Sequence, residues 1–375
     1  MTTAGTGPVG IGVIGAGVIS DAYLKNLTAF PDLEVLFVAD LDTDRARDRA
    51  EAYGIAAWGT VAELLAVDEI EIVVNLTIPA VHAQVGQQIV AAGKHIWSEK
   101  PLALDRQSAQ DLLEAAARAN LRVACAPDTV LGAGIQTGMR AIARGDIGEP
   151  LTATTLFHVP GPEAWHPNPD FLYAPGAGPL FDMGPYYVTT LVHAFGSAVK
   201  VSAVSSQSFG TRTIGSGPRA GEAFEVGVPT HHAALISFEE GQSAQSTFSF
   251  QNALPRMGFV EISGTEGTLV LPDPNMFDGD STLWRFDSSE PITIPAVGST
   301  YERGSGVLDL ARAIRTGSEE HASGLMAAHV LDVLLGISRS AEEGAAIEIE
   351  SRVPKPVPLE VGWNPAEATL EAARR

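Results

Sequence analysis

A single cysteine, Cys125, occurs in 375 residues, so neither an internal disulfide nor a cysteine-based zinc site can form. A reducing, cytoplasmic setting is the expectation that follows. Basic residues are scarce as well: 24 Lys and Arg stand against 45 Asp and Glu, a formal net charge of −21. Residues 1–125 hold 9 of the basic and 16 of the acidic side chains, so neither half is basic. A polyanion would be repelled over most of such a surface, which argues against a nucleic-acid partner. Long apolar runs are missing too. The longest, Pro8 to Ile19, is too short to span a bilayer, and no membrane association is expected. The residues before it include no Lys or Arg, so a secretory leader is not expected either. There is no internal repeat and no low-complexity tract.

What is present is ordinary globular composition, 45% hydrophobic and 18% charged, in a length that suits two domains. Residues 1–126 alternate strand and helix patterns. Val9–Ile14 is a short continuous apolar run, the pattern of a strand buried on both faces. Helical spacing follows over Val18–Phe30 and stops before Pro31. Glu34–Ala39, Ile55–Trp58, Glu71–Leu76, His95–Trp97 and Arg122–Ala126 read as further strands. Between them Leu41–Tyr53, Val61–Ala66, Ala80–Ala92 and Arg106–Asn120 read as helices. Strands alternating with helices imply a parallel sheet covered on both faces, an α/β domain.

From residue 127 to 375 the texture changes. Ala133–Arg144 reads as a helix and Leu151–His158 as a strand. A long Pro-, Gly- and aromatic-rich stretch, His158–Pro179, follows; loops of that length inside a compact domain are usually functional or mobile. After a helix at Leu180–Phe195 come strands at Val199–Ser206, His232–Phe238, Gly241–Phe250, Arg256–Ser263 and Thr268–Leu271. Their short turns predict antiparallel pairing. Helices at Val307–Ile314 and Ser323–Ser340 and a strand at Ala345–Glu350 complete a second, α+β domain.

Four constellations carry chemistry. Gly15-Ala16-Gly17-Val18-Ile19-Ser20 sits where the first strand turns into a helix. Gly15 permits the tight turn, and Gly17 lets backbone approach a pyrophosphate at the positive helix N-terminus. Val18 and Ile19 continue this cofactor-binding turn. Asp40 stands 23 residues after Gly17, at the end of the second strand. An acid there accepts hydrogen bonds from the ribose hydroxyls and repels a 2′-phosphate, and no Arg occurs before Arg45, so NAD is favoured over NADP. The bland alternative is that Asp40 caps the next helix. Thr77-Ile78-Pro79, with His82, lies where a parallel strand ends, the usual ligand-binding edge of such sheets. The third constellation is Glu99-Lys100-Pro101 and the fourth is Gly178 to Tyr187.

Together with Ala92-Gly93-Lys94-His95 and the Gly145-Asp146-Ile147-Gly148 turn, these segments make the chain resemble the Gfo/Idh/MocA family of nicotinamide-dependent oxidoreductases over nearly its whole length. The resemblance implies a Rossmann domain followed by an α+β domain with a large, open, mainly antiparallel sheet. It also implies sugar or cyclitol substrates, and a homodimer or homotetramer formed through that sheet. The segment Thr77, Pro79, His82 then lines the nicotinamide side, and Glu99 and Lys100 contribute to cofactor binding. Lys100 is expected to orient the substrate hydroxyl and take part in acid–base chemistry, because burial beside a positive nicotinamide disfavours its charged form. The alternative is a surface lysine paired with Glu99.

Members of the family usually carry D-x-G-x-H where this chain reads Asp182-Met183-Gly184-Pro185-Tyr186. Asp182 keeps the substrate-binding acid, while Tyr186 occupies the position of the histidine base. Tyrosine's ordinary pKa of about 10 requires neighbouring positive charge before it can serve as a base. Residues i and i+4 share a helix face, so both can address one substrate; for Tyr187 core packing is the alternative. A second departure replaces the usual G-H-N-R-R-F segment with Ala124-Cys125-Ala126-Pro127-Asp128-Thr129, leaving Asp128 as a substrate-side candidate. Trp165 and His166, in the aromatic stretch, suit sugar stacking and hydroxyl recognition, with His166 the reserve base; the alternative is a loop held together by Trp packing. His231 and His232 are adjacent strand residues facing opposite sides, so no metal site is expected. Two rival functions remain: a glycosidase that oxidises its sugar transiently on NAD, and a non-catalytic nucleotide sensor.

Overall fold

The computed structural model describes residues 6–370. They divide into two compact units. The first runs to Ala133 and takes in Gly298–Ala328 and the segment from Leu359; the second comprises Gly134–Val297 and His329–Pro358.

In the first unit β1 (Val9–Ile14), α1 (Val18–Leu27), β2 (Leu33–Ala39), α2 (Thr43–Ala52), β3 (Ala57–Gly59), α3 (Val61–Leu65), β4 (Ile72–Asn75), α4 (His82–Ala91), β5 (His95–Ser98), α5 (Arg106–Arg118) and β6 (Val123–Cys125) alternate along the chain. The strands form one parallel sheet in the order β3-β2-β1-β4-β5-β6. Every residue of β1 and β4 is buried, as their unbroken apolar runs require. Local capping sets the helix starts. Asp42 accepts the Arg45 amide N–H, so α2 starts at Thr43, two residues later than the sequence pattern predicts. Thr60 and Glu63 form a capping box on α3, and Asp105 caps α5 through the Ser108 amide.

The second unit begins in α6 (Ala133–Ala143) and continues through β7 (Pro150–His158), α7 (Gly178–Phe195), β8 (Ala198–Ser206), β9 (Thr211–Thr213), β10 (Ala223–Glu225), β11 (His231–Phe238), β12 (Ser243–Ser249), β13 (Arg256–Gly264), β14 (Gly267–Leu271), β15 (Ser281–Arg285) and β16 (Ile292–Ile294). Then come α8 (Ser305–Thr316), which belongs to the first unit, α9 (Gly324–Glu343) and β17 (Ile347–Glu348). Nine strands make one sheet in the order β16-β15-β14-β13-β7-β12-β11-β8-β17, while β9 and β10 form a separate two-stranded ribbon. Pairing is antiparallel except between β7 and β12. β7 precedes α7 in the chain and inserts between β12 and β13, so it runs parallel to one and antiparallel to the other. The short strands β9, β10, β15 and β16 lie outside the sequence expectation. Three of them are only three residues long, too short to display a period of two.

One difference from the sequence reading has a clear cause. The division is discontinuous, whereas the pattern change suggested one boundary after residue 126. α8 explains this: Val307, Leu308, Leu310 and Ala311 are fully buried in the same core as Val9, Tyr23 and Trp97. Among the described residues one helix, α9, is long and apolar enough to cross a membrane by length and composition, with mean hydropathy 1.2. Most of that window, 61%, is buried inside the protein, the environment its apolar side chains answer to. Both helices are longer than the sequence pattern suggests.

Within the second unit α7 packs on β7, β11 and β12, covering one face of the sheet. Tyr187 settles there as core: it is fully buried, stacks against Phe157 and Phe248, and accepts the Gly258 amide N–H at 2.9 Å. On the opposite face Val204 and Leu235 are exposed, so the sheet is open on that side.

Candidate functional site

The glycine turn joins β1 to α1. Gly15 has φ +101°, and a Cβ there would lie 2.6 Å from the Leu76 carbonyl oxygen, so both conformation and space demand glycine. Gly17 is the N-cap of α1, and nothing lies within 4 Å of where its Cβ would be. Ser20, in place of a third glycine, is fully buried and donates its hydroxyl to the Gly17 carbonyl at 2.6 Å. Val18 and Ile19 are exposed at the mouth of this turn.

Asp40 ends β2 and braces the same turn. Its Oδ2 accepts the Ala16 amide N–H at 2.7 Å, and its Oδ1 accepts that of Asp42 at 2.9 Å. Asp42, not Asp40, caps α2. Each Asp40 oxygen keeps a further lone pair for a hydroxyl donor. Arg45 reaches to 3.9 Å from Asp40 Oδ1, which the linear spacing did not reveal. Gly15, Gly17, Asp40, Arg45, Thr77 and Ile78 line a cleft of about 590 Å³. A dinucleotide fits it: the open space over Gly17 admits a pyrophosphate at a helix N-terminus, and a carboxylate stands at the ribose end.

Thr77 is tied down by Asn75, whose Oδ1 accepts both its amide and its hydroxyl protons. Pro79 is exposed at the start of a single 3₁₀ turn. His82 departs from the expected cofactor contact. It is buried, with Nδ1 2.7 Å from the Pro101 carbonyl and Nε2 2.8 Å from the Thr77 carbonyl. Its ring therefore ties the Thr77 loop to the Lys100-Pro101 segment, and both nitrogens are engaged in doing so.

Glu99 and Lys100 follow β5, both half-buried, and the Lys100–Pro101 peptide is cis. Glu99 Oε2 accepts the Lys100 amide N–H at 2.9 Å, and Oε1 accepts the Tyr23 hydroxyl proton at 2.8 Å. Tyr23 in turn accepts the Trp97 indole N–H at 3.2 Å. Burial pushes the Tyr23 phenol far up, and the Glu99 carboxylate adds to it, so Tyr23 stays protonated and serves as a donor.

Asp128 does not face a substrate. It is completely buried and accepts the amide N–H groups of Gly304 and Gly306 at 2.8 and 3.3 Å, with Arg303 at 3.2 Å. Burial raises its carboxyl pKa against the pull of Arg303 and of those backbone donors. It thus anchors the start of α8, a role invisible locally because its partners lie some 175 positions away.

In the second unit Asp182 and Tyr186 share one face of α7, with Asp182 half-buried and Tyr186 only 7% exposed. Trp165 and His166 lie in the 159–177 stretch, which holds only two short 3₁₀ turns. Trp165 is exposed, and His166 packs edge-to-face against it and against Phe171. His231 is half-buried and His232 buried, on opposite faces of β11. Among the described residues no group of three or more His, Cys, Asp or Glu is arranged to hold a metal ion.

Comparison with known proteins matches residues 9–126 to the GFO/IDH/MocA oxidoreductase family with an NAD-binding Rossmann fold, and residues 135–270 to the GFO/IDH/MocA C-terminal domain. The oxidoreductase ORF334 of Rhizobium meliloti is 27% identical over 345 residues, covering 90% of this chain and 98% of that protein. Inositol 2-dehydrogenase 3 of Saccharopolyspora erythraea is 26% identical over 276 residues, covering 71% of this chain and 74% of that protein. The structure of a levoglucosan dehydrogenase in complex with NADH and L-sorbose superposes with TM-score 0.80 at 20% identity, over 92% of this chain and all of that one, a likeness of fold.

Proposed function

The chain belongs to the GFO/IDH/MocA family of NAD-binding oxidoreductases, and on that premise we propose that it moves a hydride between a secondary alcohol of a sugar, glycoside or cyclitol and NAD. The observation that carries the reading is the cradle in the first unit: the glycine turn and Asp40 at one end of a cleft, and the braced Glu99-Lys100 segment after β5. Relatives named for inositol and levoglucosan support a polyol as the substrate class.

Gly15, Gly17, Val18, Ile19 and Thr77 hold the cofactor, and Asp40 meets the adenosine ribose and disfavours a 2′-phosphate. When bound, NAD supplies the hydride acceptor. Lys100 orients the reacting hydroxyl, Asp182 accepts from a neighbouring hydroxyl, and Tyr186 takes the proton, with His166 the second candidate for that proton. Trp165 and His166 contact the substrate. The open sheet face, with Val204 and Leu235 exposed, is the surface through which two or four copies associate. The single cysteine, buried, suits work in the cytoplasm.

The test is a panel of free sugars, glycosides and cyclitols offered with NAD, followed by reduced-nicotinamide absorbance. Turnover of at least one polyol is expected. Tight NAD binding by calorimetry without turnover of any polyol would sink the oxidoreductase reading in favour of a nucleotide sensor.

A further inference from the structure

The stretch between β7 and α7 is braced from outside by the ribbon β9–β10 and the turn it encloses. Arg212, on β9, is buried and pairs with Glu163 at 2.5 Å, while also donating to the Pro160 and Phe250 carbonyls. Tyr173 hydrogen-bonds the other Glu163 oxygen. Arg219, in the turn of the ribbon, grips Asp170 through two bonds of 2.7 and 3.1 Å and Glu222 through a third of 2.9 Å. Gly217, at φ +75°, comes so close that a Cβ would lie 2.5 Å from the Pro167 side chain. A segment with only two short 3₁₀ turns is thereby tied to the ribbon by one buried and one exposed ion pair and by a close backbone contact.

What this bracing presents is aromatic and open to solvent. Trp165 is 69% exposed and Phe171 57%. Their rings flank the His166 ring at centroid distances of 5.5 and 5.4 Å. His166 Nδ1 accepts the Asn168 amide N–H at 3.0 Å, which leaves the ring's proton on Nε2 as a donor. The charges beside the rings, Glu163 and Asp170, are already held by arginines. Apolar faces flanking one uncharged donor, with local charge taken up elsewhere, suit a neutral polyhydroxylated ring: C–H surface on the aromatics, a hydroxyl on the imidazole. Hydride transfer, by contrast, calls for a site sheltered from water, and Tyr186 is buried whereas these rings are not.

We propose that Trp165, His166 and Phe171 form a preorganised platform for the part of a glycoside beyond the reacting ring, so that the preferred substrate carries a second ring joined through a glycosidic bond. Arg212 and Arg219 are positioning residues for that platform. The proposal rests on the polyol reading above, but direct binding tests it without turnover.

The experiment compares glucose, methyl glucoside, cellobiose, maltose and p-nitrophenyl glucosides of both anomers. Affinity is measured by ligand-observed NMR and calorimetry, and kcat/KM with NAD wherever turnover occurs. Wild type is expected to bind at least one two-ring ligand several-fold more tightly than glucose. In Phe171→Ala and Trp165→Ala, at exposed positions that spare the fold, that advantage should fall by about fivefold or more. Arg219→Gln, checked for an unchanged melting temperature, should reduce it in the same direction. Equal affinity for one-ring and two-ring ligands, or an advantage intact in both aromatic variants, would overturn the platform. So would a drop in oligomer size on sedimentation of Phe171→Ala, which would make the patch a subunit contact. If two-ring ligands bind but none is oxidised, the platform stands and the oxidoreductase reading fails.

Discussion

Tyr23 donates its phenol proton to Glu99 across 76 positions of sequence, and Glu99 in turn holds the backbone N–H of Lys100. The placement of the lysine therefore depends on a tyrosine in α1. Tyr23→Phe leaves a Glu99 oxygen without that donor and the buried Trp97 indole N–H without its acceptor. A loss of about 1–3 kcal/mol in stability is expected, measurable by denaturant unfolding. If the network positions Lys100, kcat should also fall while the NAD dissociation constant stays within twofold, about the precision of a binding titration. A stability loss with unchanged kcat would confine Tyr23 to packing.

Asp40 serves the turn and the proposed ribose contact together. Wild type should show a higher kcat/KM with NAD than with NADP. Asp40→Ser removes the carboxylate while Arg45 remains nearby, so the NAD-to-NADP ratio should drop by about tenfold or more, because like-charge repulsion of a 2′-phosphate is relieved. A ratio unmoved by the substitution would reduce Asp40 to a brace for the Ala16 amide.

How much of this was legible in the sequence follows from where each partner lies. The parallel strands and the glycine turn were readable because the signals are local: unbroken apolar runs, a G-x-G between strand and helix, and capping residues. The E-K-P segment could be found, but not why it is held: its brace, Tyr23, lies 76 positions away in α1, although Trp97 stands only two residues before Glu99. Asp128 is the sharpest case. Its place in the segment that departs from the family pattern made it a substrate-side candidate, yet its carboxylate is taken up by Arg303 and the start of α8. His82 is a similar case: a histidine near a helix start gives no hint that the carbonyl of Thr77, five residues back, and that of Pro101, 19 residues on, enclose its ring. Phe171 and the arginine clamps were missed because nothing within the 158–179 stretch announces the ribbon that braces it.

Three histidines set an acid limit on stability. Burial pushes His95, His232 and His329 down to about 4. Unfolded, each would bind a proton near pH 6.5. Between those values the unfolded chain holds more protons, so stability falls as pH drops from 6.5 toward 4, by up to about 1.4 kcal/mol per pH unit for each histidine. His321 acts oppositely. Burial pulls it down, but the Asp309 carboxylate raises it overall, so its contribution is complete below pH 6.5 and is lost as pH rises through the elevated value. Denaturation midpoints measured across this range should decline on acidification. His232→Leu should flatten the decline, because no partner of His232 Nδ1 has to be replaced. An equally steep decline in that variant would remove His232 from the account.

Tyr186 decides the chemistry. Tyr186→Phe keeps the buried ring on α7 and removes only the hydroxyl. If Tyr186 is core alone, melting temperature and kcat should both change little. If its hydroxyl takes the substrate proton, kcat should fall by about 10²-fold or more with the fold retained, the scale of a positioned acid–base group. Lys100→Met is the companion: a comparable loss with NAD affinity preserved is expected, and a loss under about fivefold would reduce the lysine to a partner of Glu99. The comparison with His166→Ala separates the two bases. A full-rate Tyr186→Phe enzyme together with a crippled His166→Ala enzyme would transfer the proton to the aromatic platform. That outcome would also mean the platform reaches the reacting ring, and the second-ring assignment would then fail with it.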